Sequence, residues 1–147
     1  MPSQNINHTY SEDHERLRQL LQKFQSLKAS DRARAKDTFK EFKSELERHI
    51  RWEERILFPC FDHKYTHLKY SPIPLLHREH EQILVYLADL EGKLAKADFN
   101  TDAHERDIEM ALRLHSENEE EGLFPALDKV LTDPERVAIM EAMDRCK

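Results

Sequence analysis

Nine of the 147 residues are histidines, and their spacing matters more than their number. His49 and Glu53 stand four apart, as do His115 and Glu119, and residues at i and i+4 share one face of a helix. Each pair can therefore offer an imidazole nitrogen and a carboxylate oxygen to one centre. His14 and His80 also fall among apolar residues at helical spacing. A buried carboxylate is costly unless it is paired or bound to metal, and no lysine or arginine shares these positions. Two such carboxylates ask for a cation. Imidazole with carboxylate suits iron, with manganese or zinc as alternatives. Carboxylates from different helices can each bridge two metals held about 3.5–4 Å apart.

These side chains need helices to position them, and the chain has little else. Thr9-Tyr10-Ser11-Glu12 reads as a capping box opening a first helix, whose stripe is Tyr10, His14, Leu17, Leu21 and Phe24. Ser30 or Asp31 opens a second, carrying Phe39, Phe42, Leu46, His49, Glu53 and Ile56, which Pro59 is expected to stop. A third begins near Pro72 and Pro74 and carries Leu76, His80, Ile83, Leu87, Leu90 and Leu94. The fourth begins after 100–102, carries Ile108, Leu112, His115 and Glu119, and is expected to end between Gly122 and Pro125. Thr132-Asp133-Pro134-Glu135 is a further capping box, opening a short fifth helix with Val137, Ile139, Met140 and Met143. Apolar spacings of three and four predict an all-α fold: an up-down-up-down four-helix bundle with a short C-terminal fifth helix.

The chain also repeats itself at an offset of 66 residues, without a gap. His14, Glu15 and Leu21 map to His80, Glu81 and Leu87; Leu46, His49, Glu53 and Glu54 map to Leu112, His115, Glu119 and Glu120. Leu57-Phe58-Pro59 maps to Leu123-Phe124-Pro125, and Asp62 to Asp128. Each half, about 10–62 and 76–128, is thus expected to be one helical hairpin, related to the other by a pseudo-twofold axis. Residues 129–147 would form a C-terminal extension of a single domain, 1–147.

Composition narrows the partners. The net charge of −6 argues against nucleic acid and acidic membrane surfaces, which are bound through basic patches. Only two glycines occur, which disfavours turn-rich β folds. Cys60 and Cys146 form neither a disulfide framework nor a CxxC motif. The first 25 residues contain no apolar run, so a soluble, cytoplasmic protein is expected. Other histidine patterns carry less. His8 precedes the first stripe, His104 lies off the fourth, and His63 with His67 falls in the 60–74 connection. His14-Glu15 and His80-Glu81 begin like H-E-x-x-H, but Arg18 and Leu84 occupy its last position. The E-x-x-H signature of carboxylate-rich di-iron bundles would need Glu where Ser11, Leu46, His77 and Leu112 stand.

The pair His49-x-x-x-Glu53-Glu54-x-x-Leu57-Phe58-Pro59 and His115-x-x-x-Glu119-Glu120-x-x-Leu123-Phe124-Pro125, with His14 and Glu79-His80-Glu81, closely resembles hemerythrin-like (HHE cation-binding) domains. The resemblance covers about 11–126. It implies a non-haem centre of two iron ions, bridged by carboxylates and an oxo or hydroxo group. His14, His49, His80 and His115 would be terminal ligands, and Glu53 and Glu119 bridges. The oxygen carriers of this family close the site with H-x-x-x-x-D, where this chain has His115-x-x-x-Glu119, and they space two third-helix histidines by four where His77 and His80 are three apart. The repeat places Ser11 opposite His77, so His77 is the one ligand candidate that breaks the symmetry. As a fifth histidine it would complete one iron and leave a single open position on the other. The resemblance implies binding or sensing of dioxygen, or of another small diatomic or peroxide ligand, with any protein partner unspecified. The alternative is a di-iron enzyme handling peroxide or nitric oxide, or donating iron for iron–sulfur cluster repair.

Overall fold

Local chemistry sets each helix boundary. The computed structural model describes residues 5–146, so positions 1–4 and 147 of the expected domain lie outside the described residues. Among the described residues there are five continuous helices and no strand. Helix α1 is Ile6–Ser30. Helix α2 covers 32–64 as α-helical Arg32–Trp52, a π-helical turn Glu53–Leu57 and α-helical Phe58–Lys64. Helix α3 is Ile73–Ala95. Helix α4 repeats the pattern of α2 over 102–130, with the π turn Glu119–Leu123 between Asp102–Asn118 and Phe124–Val130. Helix α5 is Asp133–Arg145, opened by the expected capping box at Thr132 and Glu135.

Three expected boundaries move. α1 starts before the Thr9–Glu12 motif because Asn5 accepts the His8 amide (2.7 Å) and Asp128 accepts the Ile6 and Asn7 amides (2.6 and 2.9 Å). With its N–H groups satisfied from elsewhere, the chain is helical through Thr9, and Glu12 pairs with His8 instead. Pro59 and Pro125 do not end their helices. The π turn ahead of each lets Phe58 reach back to the Glu53 carbonyl and Phe124 to the Glu119 carbonyl, five residues away. Each proline then sits in the first turn of a new α-helical segment, where its missing N–H costs little.

After the break at Asp31, which caps α2 through the Arg34 amide, α2 packs along α1. Helix α4 packs along α3, α1 meets the Phe124–Val130 part of α4, and α5 meets the π turn of α2. The interior holds two apolar clusters. One contains Leu17, Leu21, Phe24, Phe42, Leu46, Ile50, Ile83 and Ile108; the other contains Ile6, Tyr10, Leu57, Phe58, Leu76, Leu123 and Phe124. On every long helix a polar residue separates them: His14 between Tyr10 and Leu17, Glu53 between Ile50 and Leu57, His80 between Leu76 and Ile83, His115 and Glu119 between Ile108 and Leu123.

Candidate metal centre

The layer between the two clusters is where the histidines and glutamates converge. His49, Glu53, His80, His115 and Glu119 are buried, and the His14 side chain is 10% exposed. They form two groups, His14/His49/Glu53/Glu119 and His80/His115/Glu53/Glu119, each with one donor atom per residue within 4.8 Å of the others. Glu53 and Glu119 belong to both. Each also opens a π turn, a feature frequently found at functional sites.

All four imidazoles are oriented in the same way. Nδ1 of His14 meets Glu120 (3.1 Å), that of His49 meets Asp13 (2.6 Å), that of His80 meets Glu54 (2.7 Å) and that of His115 meets Glu79 (2.8 Å). A carboxylate accepts, so each Nδ1–H donates and each Nε2 is turned to the centre, an arrangement that fixes the ring and raises the basicity of a metal-binding nitrogen. The 66-residue repeat extends to these partners, Asp13 matching Glu79 and Glu54 matching Glu120. Asp13 and Glu79 act within a helix pair; Glu54 and Glu120 reach across from one pair to the other.

The inward atoms are close but poorly paired. Nε2 of His14 and of His115 lies 3.2 and 3.1 Å from Glu119 Oε1, and Nε2 of His80 and of His49 lies 2.9 and 3.5 Å from Glu53 Oε1. Yet His14 Nε2, His49 Nε2, Glu53 Oε2 and both Glu119 carboxylate oxygens are buried without a hydrogen-bond partner among the described residues. Unpaired buried donors and acceptors are expensive. Two atoms each about 2.1 Å from one ion, at near right angles, lie about 3 Å apart. The donor set and its spacing therefore fit metal ions better than a hydrogen-bonded network.

Electrostatics points the same way. Burial alone would lower the His49 pKa, but the Glu53 and Asp13 carboxylates override it and push it up to about 10. His14 and His115 are raised against burial by their own carboxylate neighbours. Burial and the charge of Glu53 raise Glu119; burial would raise Glu53 too, but the positive charge of His49 holds it well below the usual range. The centre attracts positive charge.

Six of the seven residues expected at the site are brought together. His77 is not: its side chain is 52% exposed, with Nδ1 on Glu54 (2.8 Å) and Nε2 on Glu81 (2.9 Å). Three residues before His80, it sits about 60° around the helix and faces the rim. His8, His63 and His67 are exposed, and His104 is half-buried away from the stripe. Sequence spacing did not reveal the orienting role of Asp13 and Glu79, although the repeat relates them. A cleft of about 460 Å³ between α1 and α4, lined by Ser11, His14, Leu17, Leu112, Ser116 and Glu120 among others, leads from solvent to His14.

No helix among the described residues is long and apolar enough to cross a membrane. No curated protein and no solved structure matches the chain. A family model described as the hemerythrin HHE cation binding domain matches residues 5–127.

Proposed function

The chain belongs to the hemerythrin HHE cation-binding domain family, and from that premise we propose that its two His/Glu groups hold two iron ions that bind or sense dioxygen. The observation that carries this reading is the pair of four-donor groups sharing Glu53 and Glu119. His14 and His49 would hold one ion, His80 and His115 the other, and the two glutamates would bridge them; His77 stays outside the set. Bound ferrous iron would supply the electrons that dioxygen takes up on binding. The protein's part is preparation. Asp13, Glu54, Glu79 and Glu120 hold the Nδ1 protons, so that each Nε2 offers its lone pair inward. Leu57, Phe58, Leu123 and Phe124 on one side, with Leu17, Leu46 and Ile83 on the other, exclude bulk water. The α1–α4 cleft leaves a way in for a small molecule.

In the same reading the chain is one cytoplasmic domain whose four long helices run up-down-up-down. The tight break at Asp31 and the short 96–101 connection support that arrangement. The test is anaerobic reduction of the iron-loaded protein, then air, then degassing, followed by optical spectroscopy. An absorption band that appears with oxygen and disappears on degassing is expected. Irreversible oxidation would move the centre to the enzyme class, acting on peroxide or nitric oxide or releasing iron.

A further inference from the structure

We propose that Tyr10 donates a hydrogen bond to a small anionic ligand bound at the centre. The inference rests on the proposed metal centre and adds a residue to it. Tyr10 is 0% exposed, and its hydroxyl is buried without a hydrogen-bond partner among the described residues. Buried tyrosine hydroxyls normally find a partner. This one lies one helical turn before His14, with its ring edge-on to the His49 imidazole at 5.5 Å and against Phe124 at 5.2 Å. The hydroxyl is therefore a buried donor with no partner among the described residues, on a side chain that packs against the His49 imidazole.

The repeat gives the second observation. The residue equivalent to Tyr10 is Leu76, which is 1% exposed. The His80/His115 side thus has an apolar residue at the repeat position where the His14/His49 side has a tyrosine. The protein ligands are symmetric, two histidines and two shared glutamates on each side, so this substitution is a clear difference between the two positions. An anion, or a dioxygen-derived ligand carrying negative charge, is better accommodated beside the donor.

The experiment compares the iron-loaded parent with Tyr10→Phe, which keeps the ring and its packing. Iron per chain, azide titration of the oxidised protein followed optically, and the melting temperature of the metal-free forms are measured. The expected result is unchanged iron, azide affinity weaker by about 10- to 100-fold, as for loss of a hydrogen bond to a charged group, and a metal-free variant melting no lower than the parent. Two irons with unchanged azide affinity in Tyr10→Phe would overturn the role of Tyr10 alone. So would a phenolate-to-iron charge-transfer band in the resting parent that vanishes in the variant, since Tyr10 would then be a ligand and not a donor. A metal-free variant melting clearly lower would overturn it too, by showing that the hydroxyl already has a structural partner. A parent that takes up no iron would overturn the centre and this inference together.

Discussion

At the scale of single residues, the centre is an exchange between protons and metal. Without metal, the carboxylates around His14, His49 and His115 favour their protonated forms; a bound metal would take the place of those protons, because a ligating Nε2 must be unprotonated. The first state has a pH signature. His49 has a folded pKa of about 10, against about 6.5 for an unfolded histidine. A raised histidine pKa stabilises the fold fully below the unfolded value, and that contribution is lost as pH rises through the folded value. The raised pKa values of His14, His115 and Glu119 act in the same direction. The metal-free protein should therefore melt higher at pH 6.5 than at pH 10, measured by thermal denaturation in chelator; a flat or rising profile would contradict the pairing. Sequence spacing made the six inward donors legible, because i and i+4 share a face whatever the helix packs against. It did not reveal the orienting carboxylates, since Asp13 meets His49 and Glu79 meets His115 only once neighbouring helices are in register. His77 was legible as a histidine near the site but not as one whose ring turns to Glu54 and Glu81.

At the scale of helices, two local devices decide the architecture. The π turns carry α2 and α4 past Pro59 and Pro125, which a simple proline rule reads as stops. The sequence signal is present, a proline six residues after each shared glutamate. It is ambiguous without the backbone, because the same proline can end a helix or follow a widened turn. The second device is the cap on α1. Asp128, in the last turns of α4, accepts the first two amides of α1 and so ties the two ends of the repeat together. Asp128→Ala should cost about 1 kcal/mol, the usual value of a lost cap, lowering the melting temperature by roughly 2–4 °C for a chain of this size. Faster amide exchange confined to the first turn of α1 would locate the effect. An unchanged melting temperature would mean that Asn5 caps the helix without help.

At the scale of the whole molecule, two apolar clusters hold the helices from either side of one polar layer, so the fold does not depend on that layer alone. The all-helical class, the repeat and the stripes were readable because helix periodicity is a local property. The cleft between α1 and α4 was not, since it reflects how closely two helices pack. Because the metal-free protein is expected to stay helical, it can be titrated directly. The decisive measurement is anaerobic addition of ferrous iron to the metal-free parent, to Glu53→Ala/Glu119→Ala and to His77→Ala, followed by iron per chain after desalting. About two irons in the parent and in His77→Ala, with almost none in the double variant, is the expected result. Two irons retained by Glu53→Ala/Glu119→Ala would contradict a centre built on those shared carboxylates.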